Sequence, residues 1–155
     1  MPNWAKVLTE VQNLASTSNP LDVVRKKYLQ KLYNVTKRNV IAYYSGWLYK
    51  PNIYGTGIND LDKNAFMTTI NELDKSKGLD LILHTPGGDL AATESLVDYL
   101  RAMFGTNIRA IVTQLAMSAG TMISCSCSNI IMGKHSSLGP IDPQFNGLSA
   151  HGVIE

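Results

Sequence analysis

The fold of this sequence is decided by the stretch Leu79-Asp80-Leu81-Ile82-Leu83-His84-Thr85-Pro86-Gly87-Gly88-Asp89. Its apolar first half predicts a buried strand over 79–84, and its proline and paired glycines predict a turn. Residues 90–104 then show helical spacing, and a second apolar run over 108–112 precedes Met117-Ser118-Ala119-Gly120-Thr121. Strand, helix and strand in this order predict an α/β fold with parallel strands. Both turn sequences follow predicted strands, and the carboxyl ends of parallel strands are where such sheets carry their sites.

The composition limits the class of protein. The 155 residues are 45% hydrophobic and 17% charged, with a formal net charge of +2, which predicts a single domain over 1–155 and no nucleic-acid partner. No apolar run approaches the roughly 20 residues that span a bilayer, and none is of signal-peptide type, so we expect a cytoplasmic protein. One apolar stripe near the amino terminus fits either peripheral membrane association or docking on the protein's own surface or another subunit; it comprises Trp4, Val7, Leu8, Val11 and Leu14.

The remaining pattern predicts two helices within residues 1–35, followed by alternating strands and helices. Asn19 is the predicted cap of the second helix and Pro20 its first residue. The predicted helices are 3–15, 20–33, 59–75, 90–104 and 118–128, and the predicted strands are 39–45, 79–84, 108–113 and 129–132. Residues 47–57 are predicted to be an irregular loop, and 136–143 an ordered one.

Two features indicate acyl-transfer chemistry. Gly87 and Gly88 permit backbone conformations that turn N–H groups toward a developing negative charge, although a plain strand-to-helix turn also accounts for them. Ser118 stands at a helix start among small residues, where it is either a nucleophile or an N-cap. A nucleophilic serine requires a base.

The candidate bases are spread over the second half of the chain. His84 precedes the glycines and faces either the site or the core. Lys134 and His135 form a pair in a turn, where they are either catalytic or solvated. Asp142 either orients a histidine or fixes its own turn, and His151 is the remaining candidate. The spacing alone places none of them beside Ser118.

No metal or cofactor is expected. The two cysteines, Cys125 and Cys127, are too few for a zinc site and lack histidine at ligand spacing, so we expect small buried residues. The sequence has neither a dinucleotide fingerprint nor a phosphate-binding glycine loop.

Three segments together closely resemble the serine dehydrogenase proteinase (SDH-type) family, which belongs with the Clp-protease/crotonase fold. They are residues 79–89, Ala116 to Ile123, and Met132 to Gln144, and the similarity extends to Thr36 to Trp47. The resemblance implies an α/β spiral of repeated ββα or βαβ units around a mostly parallel sheet, assembled into rings or trimers. It also implies a serine peptidase related to signal peptide peptidase A-like enzymes, acting on peptide or protein substrates.

Within that resemblance, Ser118 matches the nucleophile, and Gly87, Gly88 and the Ala119 amide match the oxyanion-hole donors. Asp142 falls about where a Clp subunit carries its catalytic histidine. The lysine of a Ser-Lys dyad comes from later in the chain or from a neighbouring subunit, yet no lysine or arginine follows Ile141.

SDH-type proteins generally continue through a further helical segment, so we expect a shortened form. Three functions remain open. The leading one is a serine peptidase that uses Ser118, with Lys134, His135 or His84 as base. The alternatives are a noncatalytic oligomeric scaffold or binding protein on this fold, and a crotonase-like acyl-CoA enzyme that uses the oxyanion loop without Ser118.

Overall fold

Four parallel strands form the centre of the molecule, in the order β1-β2-β3-β4. The computed structural model describes residues 3–16, 18–50, 53–142, 144–145 and 148–149. A short fifth strand runs parallel to the end of β3, and a sixth and seventh form an antiparallel pair. The predicted α/β fold with a mostly parallel sheet is confirmed. The strands are β1 (Asn39–Tyr44), β2 (Leu79–Thr85), β3 (Ile108–Ala116), β4 (Asn129–Met132), β5 (Ser137–Leu138), β6 (Gln144–Phe145) and β7 (Leu148–Ser149).

Helices α3, α4 and α5 cover one face of the sheet and α2 lies on the other. Successive strand residues point to opposite faces, so the odd-numbered residues of β2 enter the core beneath α3 to α5, while Ile82 and His84 face α2. The helices are α1 (Trp4–Asn13), α2 (Pro20–Thr36), α3 (Asp60–Ile70), α4 (Leu90–Phe104) and α5 (Ala119–Ser126). The core includes Phe66, Ile70, Leu79, Leu81, Leu83, Leu96, Leu100, Phe104, Ile108, Val112 and Ile123.

A buried carboxylate joins the amino ends of three strands. The side chain of Asp80 is fully buried and lies 2.7 Å from Arg38 Nε and 2.7 Å from Arg109 Nη2. Burial alone would raise the pKa of Asp80, but hydrogen bonds and charge from Arg109 and Arg38 outweigh it and hold that pKa below its ordinary value. The carboxylate is therefore ionised and fixes β1, β2 and β3 together at the end opposite the two glycines.

The amino-terminal prediction is confirmed at its cap. The Asn19 side chain accepts from the Asp22 amide, and Pro20 is the first residue of α2. Along α1, the predicted apolar stripe is divided: Trp4 and Leu8 are exposed, and Val7, Val11 and Leu14 are half-buried. Membrane association by this stripe stays a prediction. Within the described ranges, no helix has both the length and the apolar character needed to cross a bilayer.

Several predicted boundaries were wrong for local reasons. The third helix was predicted over 59–75 but ends at Ile70, because Asp74 accepts from the Ser76 amide at 3.1 Å and begins a separate 3-10 turn over Lys75–Lys77. The strand predicted over 108–113 continues to Ala116, where it pairs with β5 inside the segment predicted to be a loop. Cys125, predicted to be buried, is exposed.

Candidate active site

The two turn sequences lie side by side because they follow adjacent parallel strands. Thr85 at the end of β2 is paired in register with Ala116 at the end of β3. The Met117 amide donates to Thr85 O at 3.0 Å, which joins the two loops directly after the strands end. The sequence from 86 to 89 then enters α4, and Met117 and Ser118 enter α5. The loops therefore share one edge of the sheet, as expected from their positions in the sequence.

Ser118 adopts a strained backbone conformation, with φ +48° and ψ −113°. Residues other than glycine rarely adopt this combination of φ and ψ, and such conformations cost about 1–3 kcal/mol. Its side chain makes no capping hydrogen bond to α5, and the residue is exposed. The expected alternative role as an ordinary N-cap is therefore wrong for this side chain. In α/β-hydrolases, a sharp and strained turn between a strand and a helix carries the nucleophilic serine.

Gly87 lies against this turn so closely that a side chain has no room. Its φ is +105°, and an added Cβ would lie 2.8 Å from Ser118 Cβ and 2.9 Å from Met117 O. The glycine is thus required both by its backbone conformation and by the approach of the serine turn. Its amide donates to the Thr85 hydroxyl oxygen at 3.2 Å, so this N–H is already engaged.

Gly88 is fixed by a contact that the sequence did not indicate. The Ile58 amide donates to Gly87 O and the Asp89 amide donates to Ile58 O, both at 2.8 Å. A Cβ on Gly88 would lie 2.2 Å from Ile58 N. The irregular loop was predicted over 47–57, and Ile58, directly after it, pairs with the glycine loop and holds it in place. The Gly88 amide remains without a hydrogen-bond partner in the described part of the chain.

The second free donor is the Ala119 amide. Ala119 is the first residue of α5, and its N–H has no hydrogen-bond partner among the residues that the structure describes. The residue is buried, and the positive end of the α5 dipole points toward the same loop. Of the three expected oxyanion donors, the structure therefore leaves the amides of Gly88 and Ala119 available and engages that of Gly87.

A cavity of about 560 Å³ opens in front of Ser118, and we refer to it as the Ser118 cavity. Gly88, Met117 and Ala119 border it on one side, and residues 140–142 border it on the other. Thr121 holds this second wall, because its hydroxyl oxygen lies 2.8 Å from Ala116 O and 2.9 Å from Gly139 O. The sequence pattern places Thr121 in the serine motif but gives no sign of this role.

Two carboxylates border the Ser118 cavity. Asp89 Oδ1 accepts from the Ala92 amide at 2.7 Å and caps α4. Asp142 borders the cavity from the segment after β5. Of the predicted bases within the described residues, Asp142 alone borders the same cavity as Ser118.

The two histidines within the described residues lie elsewhere. His84 and His135 border a different cavity, of about 620 Å³, between α2 and the sheet, which we call the rear cavity. His84 stacks on Trp47, with ring centroids 4.6 Å apart, and its Nδ1 accepts from the Leu115 amide at 3.4 Å. Burial lowers the pKa of His84 from its ordinary value. His84 faces neither the Ser118 cavity nor the core, so both predicted directions were wrong. The structure brings neither of these two histidines to Ser118 within one chain.

Lys134 is exposed and borders neither of these cavities. His151 lies outside the described residues. Across those residues, no three side chains of histidine, cysteine, aspartate or glutamate come together as a possible metal site.

Comparison with known proteins identifies the family. Residues 15–155 match the sequence model of the ClpP-like SDH-type serine proteinases. The chain belongs to this family. The expected SDH-type resemblance is thereby confirmed, and membership supports a proteinase role at the level of the family.

Two relatives of this SDH-type chain come from Methanocaldococcus jannaschii. The uncharacterized protein MJ0137 is 33% identical over 139 residues, which are 87% of this chain and 48% of the relative. The uncharacterized protein MJ1495 is 36% identical over 77 residues, which are 50% of this chain and 26% of the relative. The SDH-type chain thus spans about half the length of the first relative and about a quarter of the second.

Proposed function

We propose that this chain is a serine peptidase that cleaves peptide bonds through an acyl-enzyme on Ser118. The observation that carries the proposal is the strained turn of Ser118, with φ +48° and no capping hydrogen bond for its side chain. Strain of this kind persists only where the surroundings enforce it, and it is concentrated at functional sites. The family supports the same chemistry.

The proposed reaction uses the two free amides. The Ser118 hydroxyl oxygen attacks a peptide carbonyl carbon and loses its proton to a base, and the carbonyl oxygen becomes an oxyanion. The N–H groups of Gly88 and Ala119 donate to that oxyanion. The C–N bond then breaks, the amine leaves with a proton from the base, and water hydrolyses the resulting ester to release the acid and restore the hydroxyl.

The general base comes either from this chain or from a neighbouring copy in an oligomer. Asp142 is the group in place within the chain. Lys134 and His135 are exposed in the turn after β4, where they are available to a neighbouring copy. We propose a homo-oligomer, either a ring or built on trimers, in which a neighbouring copy completes the site. Its substrate would be a peptide or protein, and the enzyme would be located in the cytoplasm or at the surface of a membrane.

Labelling with a fluorophosphonate serine probe tests this proposal. The parent protein and Ser18→Ala, which removes an exposed serine outside the site, are expected to be labelled equally, whereas Ser118→Ala is expected to lose labelling. A folded parent protein that is not labelled, in its native oligomer, would refute an activated Ser118. Equal labelling of Ser118→Ala would refute the choice of residue.

A second function is favoured by one observation. Within the described residues, neither histidine nor lysine borders the Ser118 cavity, so a noncatalytic scaffold or binding protein on this fold is the competing proposal. It predicts that the folded oligomer binds peptides without labelling and without turnover. Cleavage of a fluorogenic peptide library that is lost in Ser118→Ala would exclude it.

A further inference from the structure

We propose that the rear cavity binds a small organic carboxylate with an apolar body. The cavity has a volume of about 620 Å³, which falls within the range of about 300–1,000 Å³ typical of small-molecule sites. It lies between α2 and the face of the sheet opposite the core, away from Ser118. This proposal is independent of the proposed peptidase function.

The apolar part of the rear cavity wall comes from three elements. Tyr28 and Leu29 project from α2, Ala42 and Tyr44 from β1, and Ile82 from β2. Helices α3 to α5 cover the other face of the sheet, so these side chains are not part of the core. A ligand with an aromatic or aliphatic body would remove their exposed surface from water, which favours binding.

The polar groups of the rear cavity favour an anion. Arg25, His84, Gln114 and His135 border it, and no carboxylate does so among the described residues. The Arg25 guanidinium lies over the ring of Tyr44, 4.9 Å from its centroid, which holds the cation against the cavity wall. Together, these four polar side chains provide one permanent cation, Arg25, and several hydrogen-bond donors.

The charge balance favours a single carboxylate over a phosphate. Arg25 Nη1 is paired with Asp22, which offsets part of its charge, while Nε and Nη2 have no partner among the described residues. His84 accepts at Nδ1 from the backbone, so the neutral ring carries its proton on Nε2 as a donor. One partly compensated cation, together with the Gln114 amide and the neutral His84 ring, suits a monoanion better than a dianion.

Binding is measured with 4-phenylbutyrate and, as the uncharged control ligand, 4-phenylbutyramide. The sequence has two tryptophans. Trp47 stacks on His84, which borders the cavity, whereas Trp4 is 75% exposed on α1. In a Trp4→Phe background, Trp47 fluorescence therefore reports on the rear cavity. The carboxylate is expected to bind about tenfold more tightly than the amide, as one charge-assisted hydrogen bond implies.

Three variants separate charge recognition from apolar adsorption. Arg25→Gln is expected to raise the Kd of the carboxylate about tenfold, and Asp22→Asn to lower it about two- to threefold by freeing Arg25. Arg101→Gln removes the same charge from an exposed position on α4 and is expected to change nothing. The opposite signs of the first two variants distinguish recognition from loss of folding.

The outcomes also separate this site from the proposed active site. Ser118→Ala is expected to bind 4-phenylbutyrate with unchanged Kd, even if the peptidase proposal fails. Equal affinity for acid and amide would show a merely apolar groove and would overturn the proposal. Equal effects of Arg25→Gln and Arg101→Gln, or no Trp47 response at millimolar ligand, would overturn it as well.

Discussion

The strained turn at Ser118 predicts that glycine is more favourable there than alanine. Both substitutions remove the hydroxyl, and because the serine side chain makes no capping hydrogen bond, neither loses a cap. They differ in the Cβ atom at φ +48°. Ser118→Gly is therefore expected to be more stable than Ser118→Ala, although both are expected to lose fluorophosphonate labelling.

The magnitude follows from two opposing terms. A Cβ in a left-handed conformation costs about 1–2 kcal/mol, and the ψ of −113° lies outside the favourable left-handed well. Glycine in turn loses about 0.5–1 kcal/mol more backbone entropy on folding than alanine. The difference favours Ser118→Gly by about 1 kcal/mol, or about 2–4 °C in Tm for a domain of this size.

Urea unfolding followed by circular dichroism, at one fixed protein concentration, measures this difference. The matched control is Ala102→Gly on the exposed face of α4, where glycine is expected to cost about 1 kcal/mol. The same change from alanine to glycine thus has opposite signs at the two positions. If glycine at 118 is no better than alanine while the control behaves as expected, the strained conformation, and the argument built on it, is refuted.

Three further predictions concern other parts of the molecule. Asp80→Asn is expected to lower the free energy of unfolding by about 3 kcal/mol at neutral pH, whereas Asp98→Asn, at an exposed position, is expected to change it little. The pKa of Asp80 is lowered in the folded state, so the stability that its carboxylate contributes is lost as pH falls through that pKa. The unfolding free energies of the parent protein and Asp80→Asn should therefore converge in acid. In Gly88→Ala the new Cβ would lie 2.2 Å from a backbone atom, so this variant is expected to lose at least about 2 kcal/mol of unfolding free energy and to lose fluorophosphonate labelling. In the control Gly46→Ala the new Cβ would lie 4.0 Å from a side-chain atom, and both stability and labelling should be retained. Burial raises the pKa of Cys127 to about 11, so iodoacetamide at pH 8 should alkylate the other, exposed cysteine first, and mass spectrometry of equal modification at both would contradict the buried environment.

The location of the site could be predicted because it depends on local sequence. Each turn follows an apolar strand, and parallel strands place their carboxyl ends at one edge of a sheet. The glycine pair and the serine turn therefore meet without any long-range information beyond the adjacency of β2 and β3. The backbone conformation of Ser118 was not predictable, because nothing in its neighbouring residues distinguishes a strained turn from an ordinary N-cap.

The partner of the glycine loop could not be predicted for a different reason. Ile58 contacts Gly88 through an isolated bridge, and a single bridge leaves no alternation in the sequence. The preceding residues, 47–57, are rich in turn formers, which predict an irregular loop whether or not the residue that follows it pairs. Ile58 is nevertheless 2% exposed, so its burial is determined by the fold and not by any local pattern.

The direction of His84 was ambiguous because the residues directly before it, Leu81, Ile82 and Leu83, are all apolar and show no alternation. Leu79 to Leu83 form a nearly continuous apolar run, which predicts a buried strand without stating which residues face which helices. The structure settles this through Thr85, whose side chain accepts from Gly87 beneath the site. Consecutive strand residues point to opposite faces, so His84 must face α2 and the rear cavity. Turning it toward Ser118 would require a shift of one residue along β2, which would move Leu81 and Leu83, both fully buried, out of the core. The structure therefore keeps His84 away from Ser118 within one chain, and the proposed base remains Asp142 of the same chain or Lys134 or His135 of a neighbouring copy.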